Sequence, residues 1–126
     1  MSPDFPIYNG KVVEKYMNEI EFRNIQIVNL TQAMLGCISL NFRSVVINVN
    51  SDYTKVTFVL EKENKEDFEE IEDIIFEYEA LQISNTIIKQ HILITNEDIS
   101  RVIPQIRDSN GIIVFQRKEM IPRMGK

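Results

Sequence analysis

The chain has 126 residues, with 44% hydrophobic and 26% charged content, a net charge of −5 and a sequence pI near 4.9. These values suit one globular domain spanning 1–126 and speak against intrinsic disorder away from the ends. The acidity gives the chain no electrostatic reason to approach DNA, RNA or an anionic membrane, and some reason to approach a basic partner.

Residues 1–10 (MSPDFPIYNG) hold two prolines and a glycine and read as an irregular opening segment. They lack the basic start and apolar run of a signal peptide. Val12, Val13, Tyr16, Met17 and Ile20 then fall at helical spacing, which predicts a first helix over 11–20. A second is expected over 24–35, closed by Gly36 at the C′ position, with a break near 21–24. In RSVVINVN (43–50), Val45, Ile47 and Val49 alternate with Ser44, Asn48 and Asn50. KVTFVLE (55–61) alternates again through Val56, Phe58 and Leu60, so the two segments predict an antiparallel hairpin.

The next segment is the clearest in the chain. Eight of the fifteen residues in EDFEEIEDIIFEYEA (66–80) are acidic. Asn64 is a natural N-cap, and Glu66 and Asp67 fall in the first turn, where the helix dipole favours anions. Phe68, Ile71, Ile74, Ile75, Tyr78 and Leu81 make one apolar stripe. A third strand is expected over 86–95 and a short helix or turn over 96–103, ending before Pro104. The turn Asp108-Ser109-Asn110-Gly111 leads into a fourth strand, IIVFQRK, and 120–126 is expected to fray. The fold class is therefore α+β. An antiparallel sheet of about four strands carries the N-terminal helix or helices and one acidic amphipathic helix on one face, in the order α(α)ββαββ.

Signatures of catalysis are missing. His91 is the single histidine and sits on the strand face opposite Ile88, Ile92 and Ile94, a structural surface position. Cys37, the one cysteine, lies in the apolar MLGCISL and reads as a buried thiol in a reducing compartment. One Cys and one His do not make a zinc site. The four glycines are too scattered for a phosphate loop. No catalytic residue, cofactor or metal is expected, and the chain is not read as an enzyme. With no run long enough for a membrane helix, cytoplasmic residence is the expectation.

The acidity is local. Residues 61–80 carry ten acids and two lysines, a net of −8; the remainder carries nine acids and twelve Lys or Arg, a net of +3. Glu66, Glu69, Glu70, Asp73 and Glu77 form a stripe turned away from the apolar one. Solvated helix faces usually mix signs, because Glu and Lys four apart stabilise a helix and like pairs do not. No Lys or Arg lies between Lys65 and Lys89. The stripe is the candidate partner-binding surface, and its natural partner is a basic protein.

AMLGCISLNFRSVVI (33–47), FEEIEDIIFEYEAL (68–81) and VFQRKE (114–119) together resemble, in order, the immunity proteins of bacterial polymorphic toxin and contact-dependent growth inhibition systems. The resemblance spans about 30–119. It implies a small cytoplasmic bacterial protein that binds one cognate toxin, often a basic nuclease, and blocks it without catalysis. It also implies a structural role for Arg43, which could bridge the end of the preceding helix to a carboxylate of the acidic helix. A second reading stays open at this point. The chain could be a structural or regulatory subunit that self-associates, as a homodimer for instance, through a sheet face bearing Val46, Val59, Leu93 and Val114.

Overall fold

The computed structural model describes residues 18–83 and 85–119; the opening segment, most of the first expected helix (11–17) and the tail from 120 lie outside the described residues. The elements are α1 (Glu19–Met34), β1 (Phe42–Val49), β2 (Thr54–Leu60), α2 (Lys65–Ala80), β3 (Ile88–Ile94), α3 (Ile99–Arg107) and β4 (Gly111–Gln116).

The expected break at 21–24 is absent, and α1 runs unbroken from Glu19. The polar residues there are its first turns. Asn18 Oδ1 accepts from the Glu21 N–H at 2.8 Å, and Glu21 Oε1 accepts from the Asn18 N–H at 3.1 Å. This reciprocal capping box satisfies two backbone donors that a helix start otherwise leaves unpaired. At the other end Gly36 takes φ +80°, as its expected C′ role requires.

The four strands form one sheet in the order β3-β2-β1-β4. The hairpin of β1 and β2 is antiparallel as expected, and β4 pairs antiparallel with the other edge of β1. The expectation of a wholly antiparallel sheet fails at β3, which pairs parallel to β2. The cause is the connection. A helix of 16 residues is about 24 Å long, enough to carry the chain back along the sheet to the end where β2 began.

Helices also cover both faces rather than one. On the first face Val45, Ile47, Val56, Phe58 and Leu60 lie fully buried beneath Leu30, Ala33 and Met34 of α1 and Ile71, Ile74 and Tyr78 of α2. On the second, Val46 and Val59 are fully buried under Ile99, Val102 and Ile103 of α3, with Leu93 packed at the margin. Val114 packs on the first face instead, because a bulge sets it as an extra residue between the pairs Val45↔Phe115 and Val46↔Ile113. The run Val45-Val46-Ile47 is apolar throughout because β1 is sandwiched. α3 continues through Pro104 to Arg107 instead of stopping before it. The lost N–H removes one hydrogen bond, and the packing of Val102, Ile103 and Ile106 against the sheet holds the helix.

Candidate partner-binding surface

α2 begins as the sequence reading expects. Asn64 Oδ1 accepts from the Asp67 N–H at 3.0 Å, and the helix buries Ile71, Ile74 and Tyr78. The Tyr78 hydroxyl donates to Gln26 Oε1 of α1, a residue only 2% exposed, and burial pushes the phenol well above its ordinary range.

One first-turn acid has a different role from its neighbours. Asp67 is buried; it accepts from Ser39 Oγ at 2.8 Å and from Asn41 Nδ2 at 2.9 Å. Asn41 Nδ2 also donates to the Lys62 carbonyl at 2.7 Å. Asp67 thus joins the α1–β1 connection to the start of α2. The expected bridge from Arg43 to the acidic helix is not made. Arg43 pairs with Glu119 and with the Thr95 carbonyl. Asn41, two residues earlier, makes the link to the acidic helix. Asp67 stands four, seven and eleven residues before Ile71, Ile74 and Tyr78, so the helical period itself puts it on the buried face; its partners, 26 and 28 residues away, are what the spacing does not give.

Glu66, Glu69, Asp73 and Glu77 are exposed and Glu70 is half-buried, so the structure brings all five to the surface of one helix. Glu70, Asp73 and Glu77 lie on the flank that meets α1. There they act on the half-buried Cys37, whose thiol is pushed up first by burial and then by the Glu70 contact and the fields of Glu70, Asp73 and Glu77. These surroundings disfavour the Cys37 thiolate rather than activating it. Among the described residues the ion pairs are Arg43–Glu119, Arg117–Glu61 and Arg117–Glu119; none uses a carboxylate of α2.

Phe76 was missed by the reading of α2. It falls off the apolar stripe, is 73% exposed, and has Glu72, Asp73 and Glu79 one turn away on the helix. That displacement from the stripe was the available signal. His91 is exposed on β3, paired across to Thr57. Among the described residues no cluster of three His, Cys, Asp or Glu could hold a metal ion, and no helix is long and apolar enough to cross a membrane.

Comparison with curated proteins finds no match. The family comparison is positive. Residues 23–119, from the second turn of α1 to the carboxylate that pairs with Arg43, match the model of the MafI2 immunity protein, and the chain belongs to that family.

Proposed function

We propose that this immunity protein acts in the cytoplasm by binding the catalytic domain of one cognate toxin through the acidic face of α2, occluding a basic cleft without doing chemistry itself. A nuclease is the toxin class whose charge fits, since an enzyme that grips phosphates must present lysine and arginine. The observation that carries this reading is that Glu66, Glu69, Glu70, Asp73 and Glu77 reach the surface and, among the described residues, no cation is paired to them. A helix with no cation beyond its first residue, Lys65, forgoes most internal ion-pair stabilisation and in exchange raises the rate of encounter with an opposite field. Self-association through a sheet face has lost its surface, because α3 covers Val46 and Val59.

The test is association kinetics with the toxin domain encoded by the adjacent reading frame, across a series of salt concentrations. Glu69→Lys, Glu70→Lys and Asp73→Lys together should slow association and flatten its salt dependence while the circular dichroism of the fold is retained. An association rate and salt slope equal to those of the unmodified protein would exclude α2 as the contact.

A further inference from the structure

β3 ends the strand order, and β2 is its partner among the described residues. The pairing runs in straight register from Thr54↔Ile88 to Leu60↔Ile94, without a bulge. The Thr54 N–H donates to the Ile87 carbonyl at 2.8 Å, and the Thr95 N–H donates to the Leu60 carbonyl at 3.0 Å. These two bonds fix the parity of the strand. Residues 87, 89, 91, 93 and 95 turn their backbone groups toward β2, so Ile88, Gln90, Ile92 and Ile94 turn theirs outward.

The opposite edge differs. β4 carries the bulge at Val114, a device that blunts an edge against further pairing. β3 has no bulge and no proline. Its one lysine, Lys89, is drawn over the Tyr53 ring at 4.3 Å. Ile87 and Ile94 stand 62% and 41% exposed at its two ends. This edge is a template for one more strand.

The charge above it selects the occupant. α2 connects β2 to β3, and its Phe68 and Ile75 pack in the same cluster as Ile88 and Ile92. The Glu70 flank of α2 faces α1 and Cys37. Helical spacing puts Glu72 and Glu79 beside Phe68 and Ile75, on the flank away from α1 and toward the outer edge of β3, while Phe76 points away from the sheet, opposite Ile71, Ile74 and Tyr78. A second copy pairing there about a two-fold axis would set Glu72 and Glu79 against their own images. A basic strand would meet them with opposite charge.

We infer that the outer edge of β3 accepts an extended, basic segment of the toxin as a fifth strand, with Glu72 and Glu79 facing its lysine or arginine side chains. The inference rests on the toxin-binding reading above and specifies how that partner docks.

Gln90→Pro tests it. Proline removes one outward N–H and leaves the β2 ladder intact, because the neighbouring residues 89 and 91, not 90, bond to β2. With the toxin domain of the adjacent reading frame as probe, calorimetric titration should show a loss of about tenfold or more for Gln90→Pro and near-native affinity for Gln90→Ala. In the unmodified complex, hydrogen exchange at the amides of Ile88, Gln90, Ile92 and Ile94 should slow on binding. A folded Gln90→Pro variant of native affinity, or outward amides left unprotected in the unmodified complex, would overturn the β3 assignment. The exchange result decides alone if that variant does not fold. Protection of these amides in the toxin-free protein that grows with concentration would indicate a second copy and overturn the assignment too. Weakening by the Lys substitutions in α2 without any effect at β3 would leave the proposed function standing and remove only this inference. An unmodified protein that binds no toxin would remove both.

Discussion

Arg43 and Glu119 meet in a two-point contact, Nε to Oε2 at 2.7 Å and Nη2 to Oε1 at 2.8 Å, with only 5% and 14% of their side chains exposed. Arg43 can reach because it is the extra residue of a bulge between the pairs Phe42↔Leu60 and Ser44↔Val59. Its Nη1 donates to the Thr95 carbonyl at 2.8 Å, which ties the end of β3 to the start of β1. Arg117 Nη2 adds a second cation on Glu119 at 3.0 Å. The Asn-x-Arg element and the terminal VFQRKE, 76 residues apart, are thus one contact.

Glu119→Ala should leave a buried guanidinium without its carboxylate and cost about 3 kcal/mol in urea unfolding at neutral pH. The cost should depend on pH. Arg43 holds the Glu119 carboxyl below its ordinary value of 4.5, mainly by hydrogen bonding. A lowered folded value means that the contribution is complete above the unfolded value and is lost as pH falls through the folded one. The stability gap between the native protein and Glu119→Ala should therefore narrow below about pH 4.5. A gap that stays constant down to pH 3 would show that the pair does not titrate as described.

Asp67→Ala should destabilise by about 1–3 kcal/mol, since it strands the donors of Ser39 and Asn41 and loosens the start of α2. The same change at Glu69 or Asp73, both exposed, should move stability by less than about 0.5 kcal/mol. Equal effects at all three positions in thermal unfolding would contradict the division between one structural acid and a solvated stripe.

This division marks how far the sequence could be read. The period of Phe68, Ile71, Ile74 and Tyr78 locates α2 and its cap at Asn64, because helix patterning and capping are local. The alternation in β1 and β2 locates the hairpin for the same reason. The acidic stripe is legible because it follows from that helical period. The parallel pairing of β3 was not legible, since it depends on where a 16-residue connection delivers the chain. Nor was the second layer. α3 has too few residues for a firm period, and Pro104 argued for an earlier stop. The helical period sets Asp67 apart from its neighbouring acids, on the face of Ile71, Ile74 and Tyr78, a signal the reading of the stripe passed over. Its partners and the Arg43–Glu119 pair were hidden for one shared reason: each contact joins residues more than 25 positions apart.

Gly111→Ala should destabilise by about 1–3 kcal/mol. A Cβ there would lie 2.5 Å from the Arg107 carbonyl oxygen and 2.6 Å from the Arg107 Cα, which are backbone atoms that cannot swing aside. The same carbonyl accepts from Asn48 Nδ2 at 2.9 Å, so displacing it also frees a buried amide of β1. At the neighbouring turn Asp108 holds φ +54°, and Asp108→Gly should be neutral or stabilising. Chemical denaturation of the two variants should move the midpoint down for the first and not for the second.

Tyr78→Phe should cost about 1–3 kcal/mol, because Gln26, almost fully buried, loses the hydroxyl that its Oε1 accepts from. Gln26→Leu in the Tyr78→Phe background should recover part of the loss, since both polar partners are then gone. A double-mutant cycle reads this as a coupling of about 1 kcal/mol between α1 and α2. Additive effects would show that the two side chains contribute independently.

Cys37 offers a probe of the acidic field that needs no partner. Its thiol is pushed up first by burial and then by Glu70, Asp73 and Glu77. Anionic neighbours disfavour the thiolate, so a disulfide reagent at neutral pH should react slowly with the native protein. Glu70→Gln should remove the contact and part of the field, and Asp73→Asn with Glu77→Gln should remove field alone. Both should speed the reaction, the first more than the second. Added salt should speed it in the native protein and do less in the variants, because screening replaces what the substitutions remove. An equal rate in all three proteins at low salt, with unfolding midpoints unchanged, would mean that the carboxylates of α2 do not act at the α1 flank. The encounter surface would then be confined to the outer side of the helix.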